Sequence, residues 1–117
     1  MKRCYSLKRN KDFRHVYRKG KSKANPFLVL IYAKARGTGV HVGFSASKKL
    51  GNSVVRNRVK RRLRESFAPV MPRVKDGYDL IFIAREPVVD AKFTSLQDAV
   101  TSLLRRADLL KKEDMRL

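Results

Sequence analysis

One acidic residue, Asp12, stands among the first 64 positions of this 117-residue chain, against twenty lysines and arginines. Positions 65–117 hold nine of each sign, so the whole formal excess of +19 lies in the first 64 positions. A compact fold built on that stretch has to turn its cations outward, and it still suffers their repulsion unless a polyanion screens them. Nucleic acid is the default partner for such a chain, and an acidic membrane surface is the second.

The membrane reading fails on pattern. No apolar run approaches the ~18–20 residues of a spanning helix. Met1-Lys2-Arg3 leads into further charge and not into the apolar stretch of a signal peptide. Cys4 is the only thiol, which excludes a disulfide framework or a cysteine-based metal site and leaves Cys4 without an assigned role. The expectation is a cytoplasmic protein folded as a single domain over residues 1–117.

Asn10 is placed to cap a short helix reaching about Lys19, with Gly20 to end it. Phe13, Val16 and Tyr17 share one face of that helix, and Lys11, Arg14, Arg18 and Lys19 occupy the rest. After Pro26 comes an apolar run rich in β-branched and aromatic residues, Phe27–Ala33. Arg36-Gly37-Thr38-Gly39 supplies turn chemistry, and Val40, Val42, Phe44 and Ala46 then alternate with His41, Gly43 and Ser45. The two runs read as an antiparallel hairpin. Asn52 or Ser53 can cap a helix from about Val54 to Phe67, which Pro69 helps to stop. Tyr78–Ala84 is a further short strand, apolar at nearly every position after Asp79. Pro87 interrupts, and Thr94 with Gln97 suits a capping box for a last helix. Leu96, Val100, Leu103, Leu104, Ala107 and Leu110 would form its buried face. The order α-β-β-α-β-α, with room for one more strand before the middle helix, predicts an α+β fold in which a small, mainly antiparallel sheet packs with helices.

Residues 48–64 read KKLGNSVVRNRVKRRLR, with eight basic residues of seventeen and no acid. On a helical wheel Val55, Val59, Leu63 and Phe67 form one i, i+4 stripe, which has to pack on the sheet. Asn57, Arg61 and Arg64 point nearly the opposite way, Arg56 and Lys60 flank one shoulder, and Arg58 and Arg62 the other. Arginine outnumbers lysine five to one between positions 54 and 64, which suits bidentate phosphate contact and stacking on bases. A merely solvated face would mix signs to gain i, i+4 pairs. Here like charges stand at 56/60, 58/62, 60/64 and 61/64, an arrangement that calls for an anion.

Ser45-x-Ser47-Lys48-Lys49-x-Gly51-Asn52 leading into Arg56-Asn57-Arg58-x-Lys60-Arg61-x-x-Arg64 resembles the "RNR" region of the bacterial ribonuclease P protein family. The likeness runs along nearly the whole chain: Phe13 and Tyr17 match paired aromatics of that family's first helix, and Tyr78-Asp79-Leu80-Ile81 with Ala84-Arg85 match its later strand. Ser53 stands where the family usually has Ala, and Tyr17 where Phe is commoner. The resemblance implies a protein that pairs with a large catalytic RNA which, with bound Mg²⁺, removes the 5′ leader from precursor tRNA. It further implies that Lys48, Lys49, Asn52, Arg56, Asn57, Arg58, Lys60, Arg61 and Arg64 bind the RNA, and that the single-stranded leader lies in a cleft between the first helix and the sheet. The family fold carries a left-handed β-α-β crossover, where general chirality rules alone give the right-handed form. No obligate protein partner is implied.

A leader that differs among tRNA precursors needs sequence-tolerant binding, which stacking beside a cationic groove provides because every base has a π-face. Phe13 and Tyr17 would form the stacking platform, and Lys48, Lys49 and Arg56 would follow the leader backbone. An i, i+4 aromatic pair is also ordinary amphipathicity, so core packing of Phe13 against the hairpin stands beside it as an equal reading. Protein-based catalysis finds no support. His15 and His41 fall on different elements and read as surface or packing residues, and a hydrolytic metal site needs clustered carboxylates or imidazoles. Asp76 and Asp79 read as turn and strand-edge residues. The expectation is therefore no catalytic residue, no metal ligand and no cofactor on the protein. A basic ribosomal protein would share the charge but not the ordered motifs, and a major-groove DNA reader would show a few polar base-reading residues and not cations around most of a helix.

Overall fold

The computed structural model describes residues 4–6, 10–35 and 39–111, with backbone alone for 4–6 and 10–12. In chain order the elements are strand β1 (Cys4–Ser6), helix α1 (Asn10–Lys19), strands β2 (Lys21–Ala24), β3 (Leu28–Lys34) and β4 (Val40–Ser45), helix α2 (Ser53–Phe67), strand β5 (Tyr78–Ala84) and helix α3 (Phe93–Arg106). The fold is α+β, as the element pattern predicts, and it is built on one five-stranded sheet in the order β1-β4-β5-β3-β2.

The hairpin reading of the 27–46 stretch is corrected. β3 and β4 do not pair with each other; β5 lies between them, antiparallel to β3 and parallel to β4. Two of the four strand pairings are parallel, β1–β4 and β4–β5, so the sheet is mixed and antiparallel only over β2, β3 and β5. β5 takes the centre because it is apolar toward both faces: Leu80, Ile81 and Phe82 are all fully buried. A strand buried on both sides loses the alternation that an outer strand shows. Because β4 and β5 are parallel, the chain needs a long crossover between them, and α2 is that crossover. β1 and β2 had no counterpart in the periodicity. Lys21-Ser22-Lys23-Ala24 is an edge strand, where lysines blunt further pairing and leave no apolar signal.

Helices cover both faces of the sheet. Leu28, Leu30, Val40, Val42, Leu80 and Phe82 meet Val59, Leu63 and Phe67 of α2 and Leu96, Val100, Leu103 and Leu104 of α3 in the main core. Phe44, Phe67 and Phe82 cluster there with ring centroids 5.8–6.2 Å apart. On the other face Val16 of α1 packs with Ala33 and Ile81, with Phe13, Ile31 and Ile83 at the rim.

The last helix departs from expectation at both ends. It begins at Phe93 with Lys92 as its extended N-cap and no side-chain capping bond, so Thr94 sits inside the first turn and the Thr94/Gln97 capping box does not form. At its far end Asp108 takes a left-handed φ of 60°, Leu109 N–H donates to Leu104 O at 2.9 Å and Asp108 N–H to Arg105 O at 3.0 Å. That Schellman-type reversal buries Leu109 and carries Leu110 out of the helix into a bridge with Val74. Of the turn expected at Arg36-Gly37-Thr38-Gly39, only Gly39 is among the described residues; the side chain of Asn10, the expected cap of α1, is not. No helix among the described residues is long and apolar enough to cross a membrane.

Candidate nucleic-acid interface

Between β4 and α2 the chain makes a single 3₁₀ turn, Lys48–Leu50, in which Leu50 is buried and Lys48 and Lys49 stay exposed. Gly51 follows at φ 143°, where a side chain would be strained and a Cβ would stand 3.0 Å from Val55 Cβ. Asn52 then caps α2: its side-chain oxygen accepts from Val55 N–H at 3.1 Å. Between the two capping candidates the structure selects Asn52, so its Oδ1 is committed to the backbone.

α2 has the phase that its sequence implies. Val59, Leu63 and Phe67 are buried and Val55 packs against the same core, while Asn57, Arg58, Arg61 and Arg64 are exposed and Arg56 and Lys60 half-buried. Among the described residues none of the helix's cations joins an ion pair. Arg56 Nε is shut off from solvent and meets no acceptor among the described residues, a donor left unsatisfied at a cost of about 1–3 kcal/mol. Arg62 behaves differently from its neighbours. Its Nη2 donates to Ala91 O at 2.6 Å, which ties α2 to the start of α3. The sequence placed Arg62 on a shoulder but gave no sign of this partner, which lies 29 residues away.

Phe13 and Tyr17 are not part of this surface. α1 lies on the opposite face of the sheet from α2. There Phe13 is half-buried against the Val16 cluster, whereas Tyr17 is 48% exposed. Arg14, His15, Arg18 and Lys19 are exposed around them. The two readings of the pair therefore divide: Phe13 packs at the rim, and Tyr17 offers its ring to solvent. Lys48 and Lys49, on the segment that leaves β4, lie in the chain between the strand that shares α1's sheet and the start of α2.

Sequence reasoning missed one feature of the sheet. His41 and Asp79 are register partners in the β4–β5 ladder, and His41 Nδ1 lies 3.3 Å from Asp79 Oδ1. Only a parallel β4–β5 register brings them together, and the hairpin reading hid it. Among the described residues no three His, Cys, Asp or Glu side chains gather where they could hold a metal ion.

The chain's relatives agree in kind. A family model described as Ribonuclease P matches residues 1–108. The ribonuclease P protein component of Chloroflexus aurantiacus is 45% identical over 111 residues, covering 94% of this chain and 82% of that protein. The one from Symbiobacterium thermophilum is 46% identical over 114 residues, covering 97% and 99%. Among solved structures, the RNase P protein of Staphylococcus aureus matches with a TM-score of 0.83 at 35% identity, over 92% of this chain and 98% of that one. The RNase P protein from Thermotoga maritima matches with a TM-score of 0.79 at 26% identity, over 86% and 96%.

Proposed function

The chain belongs to the ribonuclease P protein family, and on that premise we infer that it binds the catalytic RNA of ribonuclease P through α2 and the 5′ leader of precursor tRNA on the α1 face. The observation that carries this reading is the exposed arginine surface of α2, which joins no ion pair among the described residues and is held out by one buried seam. A row of like charges with no acids among them is stabilised by phosphates and by little else. Lys48, Lys49, Asn52, Arg56, Asn57, Arg58, Lys60, Arg61 and Arg64 form the RNA-binding set. Tyr17, with Phe13 beneath it, forms the stacking surface for the leader.

In this division of labour the RNA, with Mg²⁺ bound to it, hydrolyses the phosphodiester. The protein supplies positive charge and position, works in the cytoplasm as one domain, and needs no other protein. The decisive experiment measures the Mg²⁺ that a bacterial ribonuclease P RNA requires to cleave precursor tRNA, with and without this protein. The protein should lower that requirement and be retained on the RNA in preference to ribosomal RNA or duplex DNA. An unchanged Mg²⁺ requirement together with equal retention on all three would refute the reading.

A further inference from the structure

The apolar stripe of α3 begins one turn too early. Leu96, Val100, Leu103 and Leu104 are fully buried, yet Phe93, on the same stripe at i−3 from Leu96 and i−7 from Val100, is 38% exposed and lies outside the packed core. The first turn of α3 overhangs the core.

That overhang lies beside α2. Arg62 reaches Ala91 O, and further along a recess of about 200 Å³ is lined by Ser66, Pro69 and Val70 on one side and Gln97, Asp98 and Thr101 on the other. The two helices therefore run side by side in the same direction, with the start of α3 opposite Arg62. Arg58 stands one turn before Arg62 on the same edge and is exposed, as are Arg61 and Lys92. The nearest acids along the chain are Glu65, Asp90 and Asp98, the last of which lines the recess further along.

We propose that Phe93, next to the exposed Lys92 and joined to α2 through the Arg62–Ala91 contact, stacks on a base of the RNA that α2 binds, so that the shoulder between α2 and α3 belongs to the RNA interface. The proposal rests on the reading of α2 as the RNA-binding helix. The occupant follows from continuity with α2, whose Arg62 reaches the residue two before Phe93. The other large apolar side chains exposed among the described residues are Tyr17 on the far face and Val54 at the start of α2. A lone exposed ring is too small for an apolar protein contact, which needs a contiguous patch. It does suit a nucleotide, whose base the ring accepts on its π-face while Lys92 and the exposed cations of α2 meet the backbone phosphates.

The test titrates in vitro transcribed bacterial ribonuclease P RNA with wild-type protein and with Phe93→Leu, Phe93→Tyr and Arg61→Ala, each checked by a melting curve. Phe93→Leu should weaken binding roughly 5- to 150-fold, the equivalent of the ~1–3 kcal/mol of one base–aromatic stack, while Phe93→Tyr stays near wild type. In parallel, amine labelling of the wild-type protein should show Lys92 protected when the RNA is bound. Wild-type affinity in a folded Phe93→Leu protein, or equal labelling of Lys92 with and without RNA, overturns the proposal. Should Phe93→Leu fail to fold, the labelling decides alone. If Arg61→Ala weakens binding and Phe93→Leu does not, only the shoulder is lost; if neither does, the reading of α2 falls and takes this proposal with it.

Discussion

Two kinds of substitution on α2 should part company. Leu63 is fully buried between the helix and the sheet, and truncating such a leucine to alanine costs about 2–5 kcal/mol, depending on how far the cavity collapses. At roughly 4 °C per kcal/mol for a domain of this size, Leu63→Ala should lower the melting temperature by on the order of 8–20 °C. Arg61 and Arg64 are exposed, stand three residues apart and join no ion pair among the described residues. Replacing both by alanine removes a like-charge neighbour and installs the best helix former, so the melting temperature should hold or rise. RNA affinity should move the other way. Each lost charge-assisted contact is worth about 1.5–3 kcal/mol, so the double variant should bind at least tenfold more weakly, with a log–log salt slope shallower by roughly 1.4–1.8. The assays are calorimetric melting of the free protein and titration of catalytic RNA at several KCl concentrations. Arginine variants that unfold while Leu63→Ala does not would show the helix phase to be wrong.

Wild-type binding to catalytic RNA should give a log–log salt slope of roughly −4 to −9, and a slope shallower than about −2 would contradict a polyanion-binding surface. Changing Phe13 and Tyr17 together to Leu should lower the ratio of precursor to mature tRNA affinity of the holoenzyme about tenfold or more, read alongside a melting curve; most of that loss should reappear in Tyr17→Leu alone, because Tyr17 is the exposed member. Asn52→Ala removes the α2 cap and should cost about 0.5–2 kcal/mol in denaturant unfolding; a change within error would mean that the Val55 N–H finds another acceptor.

The helix that matters most was the most legible element, because its stripe is sustained over four positions and its cations fall where the stripe does not. Local sequence could not disclose long-range partnership. Val40, Val42 and Phe44 alternate as a strand should, but nothing in them says that their neighbour is Tyr78–Ala84 and not Phe27–Ala33. The clue lay in β5, whose apolar run without alternation marks a strand buried on both faces. The same blindness hid His41 beside Asp79 and Arg62 against Ala91 O, contacts made across 38 and 29 residues of chain. Thr94 and Gln97 misled for a local reason. The capping-box spacing was present, but the helix starts at Phe93, so the threonine lies within the first turn.

The order of the strands bears on how so basic a chain stays folded. Had β3 and β4 formed a hairpin with β5 at an edge, one face of β5 would have needed cover at the rim, and α1 and α2 would have competed for one short sheet. With β5 central, α1 closes one face over Ile81 and Ala33, and α2 and α3 close the other over Leu80 and Phe82. Each helix then needs only a narrow apolar seam, Val16 in α1 and Val59, Leu63 and Phe67 in α2. The rest of its circumference is free for charge, and cations on α1 and α2 are separated by the thickness of the sheet. Repulsion between the two basic surfaces is thereby reduced although each helix carries a single acid, Asp12 in α1 and Glu65 in α2. In the proposed function that separation also keeps leader and catalytic RNA on different faces, so that two polyanions bind one small domain without sharing a site.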